Sequence, residues 1–485
     1  MRSMQNSHKK SRFATASPLF RKLCNPFVAG TLILTVTGLI SRLVGFFYRI
    51  FLSRLFGEEN IGIYQLISPV LSLVFSFSAA GIQNAVSKFA AGSSSSASAG
   101  ARARVLLVGL LFSLPASLLC TAGVFSCSGF IAERLLFEPR CAPLLRIAAL
   151  SFPFSAVHSC INGYFYGIRK ASVPSAAQLV EQFVRAGSVY LISLSALRQE
   201  AALSVSVAAI GMVIGEIASM LLSVCAVCLH FHTAPSRLFR VFSGYLHSSG
   251  RQPLSGHRLF SGRQQEYGCR QLSGLARQMF SFSAPLCLNR LCINLLQAIE
   301  AACIPAKLQI YGYSVSESLS VYGVLTGMAL PLIFFPGTLT NSVSVLLMPA
   351  ISEADCANDH RLIGRTVKKC ISFCLLMGIS CSFLFLFAGQ FIGALLFSSR
   401  LAGQLIVMMG FLCPFLYLNT TLTSILHGLG KTGYTFGLSM SSLLLRLLFV
   451  FHAIPVSGLK GYLTGMLLGQ LLTTLFSLIP LRRYF

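Results

Sequence analysis

The sequence predicts an all-α membrane protein of about twelve transmembrane helices in two six-helix lobes. Three observations carry this prediction: the scarcity of charge, the length of the apolar runs and an internal repeat. Of the 485 residues, 54% are hydrophobic and only 11% are charged, whereas a soluble domain has roughly 25% charged residues. Runs of about 20 apolar residues can cross a hydrocarbon core. Because backbone polar groups find no other partner in lipid, such runs must be helical.

Twelve apolar segments, called spans 1 to 12, are long enough for this role. They are predicted at residues 28–52, 61–87, 105–128, 142–167, 174–197, 203–230, 279–304, 319–350, 366–394, 401–427, 434–455 and 459–480. Basic residues are concentrated in every second connection and at both termini. Since Lys and Arg favour the cytoplasmic side of a membrane, this alternation predicts that both termini are cytoplasmic. It also accounts for the net charge of +25, so nucleic acid is not an expected partner.

The longest polar stretch divides the chain into two lobes. The predicted organisation is a basic cytoplasmic N-tail (1–27), an N-lobe (28–230), a basic cytoplasmic linker (231–278), a C-lobe (279–480) and a cytoplasmic C-tail (481–485). Arginine-rich segments beside a membrane attract anionic lipid headgroups, so we expect the linker to contact membrane lipids.

The two lobes repeat one another. Residues 152–185 align without a gap with residues 413–446, at a constant offset of 261. The alignment matches helix breakers and charges, which chance apolar similarity does not produce: Pro153 with Pro414, Phe154 with Phe415, Gly167 with Gly428, Lys170 with Lys431 and Arg185 with Arg446. Six spans separate the repeats, so both lobes have one orientation. A parallel repeat of this kind predicts a substrate cavity between the lobes near the middle of the membrane.

Span 1 contains the first candidate binding residues. Arg42 and Arg49 are seven residues apart, which places them on one helical face about 10 Å apart, with Gly38 and Gly45 near the same stripe. Arginine binds phosphate groups through two parallel hydrogen bonds, so this face suits a diphosphate. The alternative is that Arg49 and Arg54 extend to the outer membrane interface.

Span 7 contains a second polar stripe. Arg290, Asn294 and Gln297 share one helical face, and Glu300 follows a turn later. Charged and polar groups within a span usually face a cavity or a partner helix. We expect this stripe to face span 1 across the cavity; the alternative is a hydrogen-bonded seam between helices.

The remaining charged candidates lie in spans 5, 6 and 11. Glu181 and Arg185 have the i, i+4 spacing that pairs opposite charges, and this pair has a purely structural alternative. Glu216, near the middle of span 6, has no partner on its own helix and is a candidate for coupling transport to protons or ions. Arg446 lacks the acid of its repeat partner, because Ser442 stands where Glu181 would be, so we expect Arg446 to face the ligand.

Two blocks of sequence resemble a known family. They are TLILTVTGLISRLVGFFYRIFLSRLFG (31–57) with IGIYQLISPV (61–70) and AAGIQN (79–84), and YGVLTGMALPLIFFPGTLTNSVSVLLMPAISEA (322–354). Both are similar to the stage V sporulation protein B group, in the polysaccharide-export branch of the multidrug/oligosaccharidyl-lipid/polysaccharide (MOP) flippase superfamily. The resemblance implies a MATE-like fold that alternates access between the two sides of the membrane. It also implies a lipid-diphosphate-sugar substrate such as the peptidoglycan precursor lipid II.

The resemblance extends to individual residues of span 1. The related lipid II flippases have a similar Ser-Arg-x-x-Gly-Phe motif, so Arg42 falls on an arginine of their central cavity. Their next span 1 arginine falls on Tyr48, with Arg49 displaced by one residue. Membership of this group implies a bacterial cytoplasmic membrane protein acting in peptidoglycan or spore cortex synthesis, with cell-wall or sporulation synthesis proteins as possible partners.

Three other functions stay open. No catalytic motif, metal-ligand spacing or nucleotide site emerges from the 13 acidic residues and nine histidines, so we expect no enzyme activity, cofactor or metal. A cation-coupled multidrug antiporter of the same fold would favour an acidic or aromatic cavity over one with arginines. A membrane-embedded glycan polymerase or ligase would need large external loops. A non-transporting membrane scaffold would tolerate loss of the charges within the spans.

Overall fold

The computed structural model describes residues 26–92, 99–198, 204–231 and 261–484. Every regular element in these residues is helical, which confirms the predicted all-α class. The predicted N-tail, except its last two residues, and most of the predicted linker lie outside the described residues.

Each of the six predicted spans of the N-lobe is largely helical over its described residues, and each helix keeps the number of its span. Spans 1 and 2 form one continuous helical path broken at Gly57, where the backbone is not helical (φ 76°, ψ 177°). The elements are Pro26–Phe75, Ser76–Ala80 and Gly81–Gly92 (spans 1 and 2), Ala99–Ser126 (span 3), Ser128–Phe130 and Ile131–Leu135, Cys141–Ala149 and Ser151–Gly167 (span 4), Ser172–Arg198 (span 5) and Ser206–Phe231 (span 6).

The C-lobe has the same number of spans. Its elements are Ser261–Tyr311 (span 7), Val315–Gly323, Val324–Ala329, Leu330–Phe334 and Gly337–Cys356 (span 8), His360–Phe397 (span 9), Arg400–Met409, Gly410–Leu412 and Cys413–Gly428 (span 10), Thr432–His452 (span 11), Ile454–Ser457, and Leu459–Leu478 with Ile479–Tyr484 (span 12). The span 7 helix begins within the predicted linker. The predicted C-tail is helical up to Tyr484, and its Leu481 is buried.

In the described part of the chain, nine helices are long and apolar enough to cross a membrane, or ten when Cys141–Ala149 and Ser151–Gly167, bent by 41°, count as one span. One of the nine, Thr35–Ala91, has 57 residues, about 85 Å at 1.5 Å per residue. That is more than twice the thickness of a hydrocarbon core, and its break at Gly57 divides it into spans 1 and 2. Span 5 is a complete helix that carries charges, which explains its absence from the apolar set.

Contacts within the two lobes reproduce the sequence repeat. In the N-lobe, Ser113 of span 3 lies 3.0 Å from the Cys160 sulfur of span 4. In the C-lobe, Cys374 of span 9 lies 3.2 Å from the Thr421 hydroxyl of span 10. Both residues of the second pair are 261 positions after those of the first, so the repeat extends to spans 3 and 9.

The turns after spans 4 and 10 also match. Arg169 (φ 60°) and Gly430 (φ 72°) occupy equivalent positions, and both adopt the left-handed conformation. In each turn the following N–H donates to the carbonyl five residues earlier, at 2.9 Å. This is the Schellman arrangement that ends many helices, and it explains why one of the two positions is glycine.

The distribution of buried apolar residues shows where the lobes meet. One core contains residues of both lobes, such as Ile67 of span 2 and Leu325 of span 8. The other two cores are separate: one surrounds Tyr164, mainly in the N-lobe, and one surrounds Leu422 in the C-lobe. The lobes are therefore joined by a shared core at one end, called the closed end.

Polar contacts reinforce the closed end. Glu59, between spans 1 and 2, accepts a hydrogen bond from Ser316 of span 8 at 2.6 Å and pairs with Arg140 of the N-lobe at 2.7 Å. Arg140 also binds Glu138 at 2.7 Å. The hydrogen bond to the Glu138 carboxylate raises the pKa of Arg140 above its usual value, so this cluster keeps its positive centre at any physiological pH.

Arg54 forms a further contact between the lobes. Its guanidinium donates to the carbonyl oxygens of Leu396, at 2.8 Å, and Leu395. These carbonyls lie in the last turn of the span 9 helix, where cations are favoured by the helix dipole. Arg54 therefore contacts the other lobe at the closed end.

Candidate functional site

A cavity of about 650 Å³ lies between the lobes. It borders the shared core, because Leu52, Ile67, Leu416 and Tyr417 belong to both. Its other walls come from spans 1, 2, 5 and 6 of the N-lobe and spans 8 and 10 of the C-lobe. The cavity thus has the position that the parallel repeat predicts.

The N-lobe wall of the cavity is cationic. Arg42, Arg49 and Arg185 line it, and none of the described residues that line it is acidic. With the Asn341 side-chain amide of span 8 assigned so that its oxygen faces Arg42, both terminal guanidinium nitrogens of Arg42 donate to that oxygen, at 2.5 and 3.0 Å. An amide oxygen is a neutral partner that an anion can replace. The structure therefore brings the two span 1 arginines into one cavity; their role in binding stays a prediction.

Neutral hydrogen-bonding groups surround the arginines. Tyr64, Gln178 and Gln182 line the cavity. Tyr48 also lines it and is only 9% exposed, yet its hydroxyl has no hydrogen-bond partner. A buried polar group without a partner is costly, so this hydroxyl marks a place where a ligand oxygen would be stabilised.

The C-lobe wall is largely apolar and aromatic. Pro331, Phe334 and Phe335 line the cavity beside Tyr417. Phe335 stacks on Phe46 of span 1, with ring centroids 4.8 Å apart, so this aromatic pair also connects the lobes. The cavity therefore offers charge on one side and ring faces on the other.

A cluster of ionisable side chains lies behind the cationic wall. Arg185 pairs with Glu181 on its own helix and lies 4.0 Å from Glu216 of span 6. Glu216 accepts a hydrogen bond from Ser155 at 2.8 Å and lies 3.4 Å from Nδ1 of His158. Glu216 thus has partners on neighbouring helices. A ring nitrogen of His158 and one carboxylate oxygen each of Glu181 and Glu216 lie within 4.8 Å of one another. The sequence did not predict this grouping.

The structure corrects the expectation of an unpaired Arg446. Its guanidinium binds Glu300 of span 7, at 2.6 and 2.9 Å, and lies 3.1 Å from the Tyr462 hydroxyl. Tyr462 also donates to Glu300 at 3.1 Å. The acid that pairs with Arg446 comes from another helix, and Arg446 does not line the cavity. Helical spacing cannot reveal such a partner, because it relates only residues of one helix.

The remaining residues of the span 7 stripe lie outside this cavity. Asn294 donates to the Ser76 hydroxyl at 2.6 Å and to the Ser72 carbonyl at 3.2 Å. It therefore forms the seam between helices that was the alternative to a cavity position. Arg290 and Gln297 are exposed and do not line the cavity either.

Comparisons with known proteins agree with this architecture. A family model described as "Polysaccharide biosynthesis protein" matches residues 27–355. Stage V sporulation protein B of Bacillus subtilis (strain 168) is 28% identical over 455 residues, which cover 93% of this chain and 82% of that protein. The lipid II flippase MurJ of the same organism is 19% identical over 485 residues, covering 95% and 84%.

Solved structures extend the likeness to the fold. The lipid II flippase MurJ in an inward closed conformation has a TM-score of 0.67 and 12% identity, covering 93% of this chain and 87% of that one. A multidrug resistance MATE family transporter of the MOP superfamily, in an inward-facing conformation, has a TM-score of 0.64 and 13% identity, covering 92% and 94%. These likenesses confirm the predicted MOP flippase fold.

Proposed function

The chain belongs to the polysaccharide biosynthesis protein family, and from this premise we propose that it flips an undecaprenyl-diphosphate-linked cell-wall sugar across a bacterial cytoplasmic membrane. Lipid II or a related polysaccharide precursor is the substrate class, and peptidoglycan or spore cortex synthesis is the setting. The names of the two curated relatives, a sporulation protein and a lipid II flippase, support this choice.

One observation carries the proposal: three arginines and no acid line the cavity among the described residues. A diphosphate carries negative charge and presents paired oxygens, which arginine binds through two parallel hydrogen bonds. Within a membrane such charges are costly and are kept where they serve a function. The volume of about 650 Å³ lies in the range of small-molecule sites, so it suits a headgroup whose lipid tail stays in the bilayer.

The position of the basic residues supports an orientation for this state. The residues Lys88, Arg169, Lys170, Arg361 and Lys431 belong to the connections predicted to be cytoplasmic, and those connections lie opposite the closed end. Positively charged connections favour the cytoplasmic side. We therefore take the closed end as external and both termini as cytoplasmic. Rocking of the lobes would open the closed end and deliver the headgroup outside.

A cation-coupled multidrug antiporter of the same fold is the less favoured function. A cationic drug would meet three arginines in the cavity and no carboxylate among its described lining residues. Like charges in a site of low dielectric repel strongly. Glu181 and Glu216, the carboxylates beside Arg185, do not line the cavity and are already engaged with that arginine.

Transport of a fluorescent lipid II in proteoliposomes tests the proposal. We expect the wild type to flip it and Arg42→Ala to lose at least tenfold in rate. Arg42→Lys should also be impaired, because lysine keeps the charge but lacks the planar fork. Arg400→Ala is the matched control, since Arg400 is exposed and lies outside the cavity.

Each outcome has a distinct meaning. Wild-type rates in Arg42→Ala would remove the cavity assignment. Transport by the wild type of another undecaprenyl-diphosphate sugar, but not of lipid II, would change the substrate. Failure of a folded wild type to move any diphosphate-linked lipid would overturn the function and favour a scaffold.

A further inference from the structure

Arg185 belongs to two sites at once. It lines the cavity, and it is also the cation that holds Glu181 and Glu216 behind the cavity wall. The four side chains of this cluster, those three and His158, are each at most 19% exposed. One guanidinium therefore serves two largely buried carboxylates and the cavity together.

The C-lobe shows what a balanced site looks like. Arg446 occupies the repeat-equivalent position, 261 residues after Arg185, and binds one carboxylate, that of Glu300. The Tyr462 hydroxyl completes that site. The charges of Arg446 and Glu300 cancel, so this site needs no further ion. In the N-lobe cluster, Arg185 is the cation that contacts both carboxylates, so the side chains in contact have one negative charge in excess while His158 is neutral.

A bound proton is the ligand that fits this excess. An uncompensated charge in a mostly buried site is strongly unfavourable. A hard metal ion takes six or more oxygen ligands, whereas here only three side chains bring a nitrogen or oxygen atom within 4.8 Å of one another. In addition, the guanidinium of Arg185 is already the cation beside both carboxylates. Nδ1 of His158 is buried, makes no hydrogen bond and lies 3.4 Å from Glu216. A proton between these two groups would turn that approach into a charge-assisted hydrogen bond.

A second observation concerns the cavity side of Arg185. The side chain of Tyr48 is 91% buried, and its hydroxyl lacks a partner at the cavity wall. An anion held by Arg185 would supply the missing acceptor. The other charged or titratable groups around the cluster are Arg49 of span 1 and Tyr64 of span 2, and both of them line the cavity.

We infer that His158, Glu181 and Glu216 form a proton-binding site, and that a proton bound there releases Arg185 to bind the diphosphate in the cavity. The inference rests on the proposed function. When a diphosphate draws on the charge of Arg185, the two carboxylates are less well compensated and attract a proton. Because such coupling is reciprocal, a proton bound first strengthens diphosphate binding by the same factor. Release of either ligand then favours release of the other.

Calorimetric binding of inorganic pyrophosphate to the full chain in nanodiscs tests the inference. Titrations in two buffers of different ionisation enthalpy give the number of protons taken up. We expect the wild type to take up more protons than Glu216→Gln, which has one carboxylate fewer, with a difference of up to one proton. The variant is the reference because pyrophosphate itself titrates. Pyrophosphate affinity should change by up to tenfold per pH unit more in the wild type than in the variant.

Two controls separate coupling from structural damage. Glu353→Gln removes an exposed acid of the C-lobe and should keep the wild-type proton uptake. Glu181→Gln should reproduce the effect of Glu216→Gln, because either change leaves one carboxylate for Arg185. Equal uptake by the wild type and both cluster variants, with pyrophosphate still bound, would overturn the inference and leave the proposed function standing.

The remaining outcomes are also decisive. Pyrophosphate binding that requires sodium ions and shows no proton uptake would assign the cluster to a metal ion and overturn the proton site. No pyrophosphate binding by a folded wild type at any pH would count against the proposed function itself. A cluster variant that loses all binding, while Arg42→Lys retains some, would show that the cluster only holds the fold together and would overturn the coupling.

Discussion

Substitution of Gly62 by alanine should open the closed end. Gly62 of span 2 and Gly323 of span 8 are 261 residues apart and pack against each other at the junction of the lobes. A Cβ atom on Gly62 would lie 2.1 Å from the carbonyl oxygen of Leu319, and one on Gly323 would lie 2.3 Å from that of Glu58. Both obstacles are backbone atoms, so no side chain can rotate away and the lobes must separate by roughly 1 Å.

The size of the effect follows from the cost of overpacking. Forcing an extra methyl group into a well-packed contact costs about 1–3 kcal/mol, which lowers the population of the closed end by about 5- to 150-fold relative to open states. The control is Gly38→Ala in the same helical path, where a Cβ would meet nothing within 4 Å. Both changes gain similar helix propensity, about 1 kcal/mol, so their difference isolates the contact.

Cross-linking across the closed end measures this population. Glu59 and Ser316 have side-chain oxygens 2.6 Å apart, so a Glu59→Cys, Ser316→Cys pair in a background lacking other cysteines should react rapidly with a short bifunctional thiol reagent. We expect the initial rate to fall with Gly62→Ala, by the full change in the closed-to-open ratio where open states predominate, and to stay unchanged with Gly38→Ala. Equal rates in the two variants would refute the packing argument, because the contact would then have about 1 Å of slack.

Two further predictions concern stability. Arg446→Met should destabilise the protein by about 3–5 kcal/mol, because Glu300, only 4% exposed, loses its cation. In thermal-shift measurements in detergent, adding Glu300→Gln to Arg446→Met should recover much of this loss. Additive losses from the two changes would contradict the pairing. Arg140→Ala should lower the free energy of unfolding by about 1–3 kcal/mol more than Arg400→Ala does, because the 4%-exposed Glu138 loses a donor. Equal thermal shifts for the two variants would mean that water replaces Arg140.

The helices were predictable because the membrane restricts the choices. An apolar run of the right length must be helical in lipid, and each of the twelve predicted spans is largely helical over its described residues. The offset of 261 was also visible in breakers and charges. The sequence did not show that the repeat extends to the Ser113–Cys160 and Cys374–Thr421 contacts. The equivalent positions hold different residue types in the two lobes, and only the contact between them is shared.

The candidate site was predictable only within single helices. The seven-residue spacing of Arg42 and Arg49 was enough to group them, and both line the cavity. Contacts between helices were not accessible in this way. Glu300 and Arg446 are 146 residues apart in sequence, and His158 reaches Glu216 from another span. A single sequence contains no signal for such pairs, so Arg446 was expected to be free.

The repeat-equivalent arginines Arg185 and Arg446 differ in their surroundings, and this difference bears on how a headgroup would be carried. All three cavity arginines, Arg42, Arg49 and Arg185, belong to the N-lobe, while the C-lobe equivalent, Arg446, is held by Glu300. An anion bound to these arginines would therefore stay fixed to the N-lobe during a rocking motion, and the apolar C-lobe wall would slide past it. The Arg42–Asn341 contact would resist that motion, and an anion that displaces Asn341 removes it. On the proposed function, binding of the substrate would itself loosen the lobes at the cavity.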